Sequence, residues 1–109
     1  MENTLREICT ATGVSRRAVQ GYEKLNLVTP TGKNERGYLL YDTNAQRRIA
    51  RIKMFQDFGF ALKDIKVIID APNDVLKSAL EEKRLQMLSD RERMEVQLRQ
   101  VEELIHTLG

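Results

Sequence analysis

The sequence predicts a mainly α protein: a small domain of short helices with one hairpin over residues 1–71, followed by a long coiled-coil helix over residues 72–109. Three observations lead there. Helix-start signals at Thr4 and Ser15 lie on either side of a tight turn at Gly13. Aromatic and aliphatic residues return at Tyr38 to Tyr41 after a polar, basic stretch. From Asn73 to Leu108 no Gly or Pro interrupts the chain.

Thr4 followed three residues later by Glu7 is a capping box, in which each side chain satisfies a free amide at a helix start. A helix is expected from Leu5 to about Ala11, burying Leu5, Ile8 and Cys9 at i, i+3 and i+4. Gly13 supplies the permissive backbone needed to leave it. Ser15 caps the next helix, and Val14 and Val19 stand at the N′ and N4 positions of a hydrophobic staple. That second helix is expected over Arg16 to Leu25, with Val19, Tyr22 and Leu25 inward and Arg16, Arg17, Gln20 and Lys24 outward. Leu27 to Pro30 then reads as an extended piece, Thr31 to Gly37 as a polar turn and Tyr38 to Tyr41 as a returning strand. The result is a hairpin with Lys33 and Arg36 at its tip.

Asp42 or Thr43 is expected to cap a third helix of about fifteen residues, with Ala45, Ile49, Ile52 and Phe55 at helical spacing and Gly59 at its end. Leu62, Ile65, Ile68 and Ile69 mark a short fourth helix closed by Pro72. Asn73 reads as the cap of the last helix, about 35 residues and roughly 50 Å long. A lone helix of that length needs a partner. Leu80, Met87, Met94, Val101 and Leu108 recur every seven residues, and Leu98, Leu104 and Ile105 thicken the stripe. The seam is imperfect, because Lys83, Asp90 and Gln97 stand three residues after its first three members. An antiparallel or irregular two-stranded coiled coil is expected.

Composition excludes several function classes. Hydrophobic residues make up 41% of the 109 and charged residues 31%, a balance suited to a folded chain, and no apolar run approaches the length of a membrane span. Glu2 and Arg6 break any signal-peptide pattern, so a cytoplasmic location without membrane partners is expected. One cysteine, Cys9, and one histidine, His106, leave no disulfide and no zinc cluster. Neither a phosphate-binding glycine loop nor a nucleophile-and-base pair is present, so no enzyme, metal or other cofactor is expected. Net charge is only +2, yet it is unevenly spread: residues 1–60 hold ten basic against six acidic side chains, and residues 61–109 eight against ten. The first half has the sign for a polyanion.

The paired helices around Gly13 have what a helix-turn-helix requires, namely a tight turn, an apolar anchor and an exposed polar face, although a helical hairpin in a bundle has the same parts. The order of all the parts is more specific. GVSRRAVQGYEKLNLVTP at Gly13 to Pro30, RGYLLY at Arg36 to Tyr41 and FGFALKDIKVII at Phe58 to Ile69 resemble, in order and spacing, the MerR family of transcriptional regulators. The resemblance spans essentially the whole chain and implies a winged helix-turn-helix DNA-binding domain followed by a dimerisation helix. It further implies that Arg16, Arg17 and Gln20 face base edges or phosphates, with Tyr22, Lys24, Lys33, Arg36 and Tyr38 approaching the backbone. Tyr22 would keep its ring in the core and turn its hydroxyl to phosphate. Leu80, Met87, Met94, Leu98, Val101, Leu104, Ile105 and Leu108 would form the dimer seam.

Double-stranded DNA and a second copy of the chain are the implied partners, together with RNA polymerase at the promoter. The implied activity is regulation of transcription from a pseudo-palindromic site by distorting its DNA. Gln20 and Gly21 depart from the family's Arg-Tyr pair, and Leu39 stands where the wing usually carries Arg. An architectural or interaction protein that binds DNA weakly is the first alternative, and a fragment of a longer ligand-responsive regulator the second. The Arg47, Arg48 and Arg51 group reads as flanking phosphate contacts, a solvated face or partners for acids of the long helix. Cys9 reads as a small core residue and His106 as a favourable charge at a helix C-terminus.

Overall fold

The computed structural model describes residues 1–109 and divides into two compact units, Met1–Asp70 and Ala71–Gly109. In the first unit β1 (Asn3–Thr4) leads into α1 (Leu5–Thr12), and α2 (Arg16–Lys24) follows. The capping box forms as the sequence dictates: Glu7 N donates to Thr4 Oγ1 at 3.3 Å and Thr4 N donates to Glu7 Oε1 at 3.0 Å. The Thr4 N–H, and with it the Thr4 hydroxyl that also donates to Glu7 Oε1 at 3.0 Å, holds the Glu7 carboxyl below its ordinary value. Gly13 closes α1 in the left-handed conformation, φ 74°, with its N–H on the Cys9 carbonyl. Ser15 Oγ then accepts from Ala18 N at 3.0 Å, and Val14 and Val19 are both buried, as a staple requires.

α2 ends one residue earlier than the spacing suggested. Leu25 is its C-cap and is 37% exposed rather than inward, and Asn26 leaves through a left-handed φ of 60°. The chain then runs through Leu27 and Val28, both buried, to β2 (Gly32–Lys33) and β3 (Leu39–Tyr41). The extended piece expected at Leu27 to Pro30 is therefore a core-filling loop, and the pairing strand starts at Gly32. The sheet is antiparallel, in the order β1-β3-β2, with Asn3 opposite Tyr41 and Lys33 opposite Leu39.

α3 (Thr43–Asp57) is capped by Asp42, whose Oδ1 accepts from Ala45 N at 2.8 Å. Gly59, φ 101°, turns the chain into α4 (Leu62–Ile68), whose cap residue Ala61 makes no side-chain hydrogen bond. Ile8, Val19, Tyr22, Tyr41, Ile49, Ile52 and Ile65 are at most 1% exposed and form the centre of the core, each such side chain contributing on the order of 1.5–3 kcal/mol. Phe55 is edged by Phe60 at 6.0 Å between ring centroids.

The second unit is α5 (Asn73–Leu108), 36 residues or about 54 Å. Asn73 is its first helical residue, and Pro72, with fixed φ and no N–H to satisfy, takes the cap position instead. Arg93 with Asp90 at 2.7 Å and Arg91 with Glu95 at 3.9 Å pair along the helix surface.

Candidate nucleic-acid interface

The candidate surface is built on α2 and on the β2–β3 wing. Helical periodicity puts Arg17, Gln20, Gly21 and Lys24 on one face of α2, opposite the buried Val19 and Tyr22. With Glu23 they line an open depression of about 650 Å³. Arg16, Arg17, Gln20 and Lys24 are all exposed. Such a face carries cations and a carboxamide on a rigid element, the chemistry that meets phosphates and base edges.

The wing is shaped by Asn34, which the sequence pattern did not single out. Its Oδ1 accepts from Arg36 N and from Tyr38 N, both at 3.0 Å, and its own N–H donates to the Tyr38 carbonyl at 3.0 Å. Gly37, φ 80°, completes the turn. Lys33 and Arg36 are exposed, as is Tyr38, with 59% of its surface accessible. An Asn directly after the first strand residue pair, three residues before a Gly, was the available signal for this Asx-type turn.

Two phenols hold α2 in place. Tyr41 of β3 is fully buried and donates its hydroxyl to the carboxylate of Glu23, which links the wing strand to the helix. Burial, then the Glu23 acceptor, push its pKa well above the ordinary 10.0. Tyr22 donates to Gln56 Oε1 of α3 at 2.6 Å, and burial followed by the Asp57 charge raises its pKa too. At 1% exposure the Tyr22 ring lies in the core, and its hydroxyl is bonded to the exposed Gln56 side chain.

The arginine group of α3 separates into three environments. Arg48 donates through Nε to the Leu27 carbonyl and through both terminal nitrogens to Asp70, at 2.7 and 2.8 Å, so it clips the loop after α2 to the end of the unit. Its guanidinium holds the Asp70 carboxyl below the usual range. Arg51 lies 5.5 Å from the Phe55 ring centroid, and Arg47 is exposed. Cys9 is half-buried on α1.

On α5, Leu80 is partly covered, whereas Met87, Met94, Leu98, Val101, Leu104, Ile105 and Leu108 are between 49% and 87% exposed. Leu85, Leu88 and Val96, outside the heptad positions, are exposed as well. No cluster of His, Cys, Asp or Glu is placed to hold a metal ion, and no helix is long and apolar enough to cross a membrane.

Comparison with known proteins accounts for this architecture. The HTH-type transcriptional activator mta of Bacillus subtilis is 28% identical over 102 residues, which is 94% of this chain and 40% of mta. The nodulation protein NolA of Bradyrhizobium diazoefficiens is 31% identical over 84 residues, 74% of this chain and 35% of NolA. The chain thus spans well under half the length of these two relatives. A MerR-family regulator of Bacillus cereus superposes with a TM-score of 0.78 at 27% identity, covering 94% of this chain and 79% of the other. The same fold, at 20% identity and a TM-score of 0.73, occurs in HiNmlR, a MerR-family regulator solved bound to promoter DNA, with 90% of this chain and 79% of HiNmlR covered. Residues 4–72 match the MerR HTH family of regulatory proteins, and this chain belongs to that family.

Proposed function

We propose that residues 1–71 bind promoter DNA sequence-specifically and that residues 72–109 pair two copies of the chain, so that a homodimer regulates transcription in the bacterial cytoplasm. The observation that carries this reading is the exposed Arg17, Gln20 and Lys24 face of α2, tied through Glu23 and Tyr41 to a wing that presents Lys33 and Arg36. α2 would enter the major groove, and the wing would hold the adjacent phosphates. HiNmlR, with the same fold, is bound to promoter DNA. The membership of the family supports regulators rather than enzymes as the class.

Dimerisation is supported by the apolar stripe of α5, with Met94, Val101, Leu104 and Ile105 each more than half exposed in a single chain. Leaving such residues in water forgoes burial that a second α5 supplies. A two-fold protein reads a two-fold site, hence a pseudo-palindromic operator with half-sites separated by multiples of about 34 Å along the duplex. Bending that DNA to bring promoter elements into register for RNA polymerase requires on the order of 1–6 kcal/mol, offset by phosphate contacts.

Selection of bound duplexes from a randomised pool tests the reading. Enrichment of one sequence in two inverted copies at fixed spacing is the expected outcome, and a pool that stays unenriched under competitor DNA refutes it.

A further inference from the structure

α2 contains a glycine that nothing inside the protein requires. Gly21 is the sixth of nine helical residues, and its φ lies outside the left-handed region in which Gly13, Gly37 and Gly59 sit. A Cβ at Gly21 would meet no atom within 4 Å. Alanine would therefore fit without moving a neighbour and would strengthen the helix, because mid-helix glycine is among the least favourable residues. Neither backbone conformation nor internal packing offsets that disadvantage, and the vacant space opens outward onto the depression shared with Arg17, Gln20 and Lys24. The remaining side chain there, Glu23, is engaged by the Tyr41 hydroxyl.

We infer that Gln20 and Gly21 together read one A·T base pair in each half-site, an inference that rests on the DNA-binding reading above. The carboxamide of Gln20 offers one donor and one acceptor in the geometry of the adenine major-groove edge, its N–H to N7 and its carbonyl to the N6 amino group. The paired thymine presents a 5-methyl group at that same edge, the one apolar projection of the major-groove surface. With no side chain, Gly21 leaves room for that methyl beside Gln20. Arg17 and Lys24, each one turn away on the same face and on opposite sides of the pair, hold the flanking phosphates. A residue with a long side chain at position 21 would fill the notch, so the pair Gln20 and Gly21 acts as a specificity-determining unit.

The test uses the 109-residue chain and the duplex that wild type selects from a randomised pool. Fluorescence anisotropy then compares wild type, Gly21→Ala and Gln20→Ala, with thermal melting as the fold control. Gly21→Ala is expected to melt at or above the wild-type temperature yet to bind the selected duplex at least about fivefold more weakly. Replacing the contacted thymine by deoxyuridine, which removes the methyl, is expected to restore its binding. Gln20→Ala is expected to lose preference for A·T at that same position. Equal affinity of Gly21→Ala and wild type for the selected duplex, or a selected site with no A·T pair that responds to Gln20→Ala, overturns the inference while leaving the DNA-binding reading intact. Absence of any selected sequence with wild type fails the DNA-binding reading itself, and the inference falls with it.

Discussion

Tyr41→Phe isolates the bond between wing and recognition helix. The ring is fully buried and stays in place, so the substitution removes one hydroxyl and leaves the Glu23 carboxylate without its phenol partner. A hydrogen bond to a charged group contributes about 1.5–3 kcal/mol net. Glu23 is only half-buried, and water can reach its carboxylate once the phenol is gone, which places the loss at the lower end, about 1–2 kcal/mol. The corresponding bond of Tyr22 runs to the neutral, exposed Gln56, and Tyr22→Phe is expected to lose about 0.5–1 kcal/mol. Urea unfolding followed by far-ultraviolet circular dichroism reads both as lower midpoints at unchanged slope. The Tyr41 pKa lies above the ordinary 10.0 in the folded protein, so its contribution is complete below that pH and is lost as pH rises through the folded value. The gap between wild type and Tyr41→Phe therefore narrows in alkaline solution. A Tyr41→Phe protein within about 0.3 kcal/mol of wild type, a loss too small for a bond to a charged acceptor, would refute the reasoning, as would Tyr22→Phe costing the more.

The Arg48–Asp70 pair should behave as a partly solvated bridge, its side chains being 30% and 70% exposed, and Asp70→Asn should cost no more than about 1 kcal/mol at neutral pH. Because the Asp70 pKa is depressed below 3.8, that contribution is present above the ordinary value and disappears as pH falls through the folded one, so wild type and Asp70→Asn should converge in acid unfolding curves. Arg48→Met should cost more, about 2 kcal/mol, since the buried loop also loses the donor to the Leu27 carbonyl. Thr4→Ala removes the acceptor of the capping box and should lower stability by about 1 kcal/mol in the same urea assay. Replacing Met94 and Val101 together by Asp should convert dimers to monomers by light scattering, and an unchanged dimer mass would sink the proposed seam.

Helix starts were legible because their chemistry is local. Thr4, Ser15 and Asp42 each bond an amide three residues on, and no distant part of the chain enters that decision. Asn73 shows the limit, since a residue of good capping type was displaced by one position when Pro72 supplied the required backbone. Strands were harder. Leu27 and Val28 have strand composition but fill the core as a loop, while β1 is two residues long and exists only because Tyr41 and Leu40 lie opposite it. The exposed face of α2 followed from periodicity alone. What fixes that face did not: the Glu23–Tyr41 and Tyr22–Gln56 bonds join residues 18 and 34 apart, and no spacing rule connects them. Likewise nothing in the run Arg47, Arg48, Arg51 tells which guanidinium finds a carboxylate 22 residues away.

The most direct test of the DNA-binding reading is the salt dependence of binding to the selected duplex, measured by anisotropy for wild type and for Arg17→Ala, Lys33→Ala and Arg36→Ala. Wild type is expected to show a steep negative slope of log affinity against log salt, and each substitution should reduce that slope by about one while the fold stays intact. Slopes and affinities unchanged by all three substitutions would contradict the assignment of α2 and the wing as the DNA-binding surface.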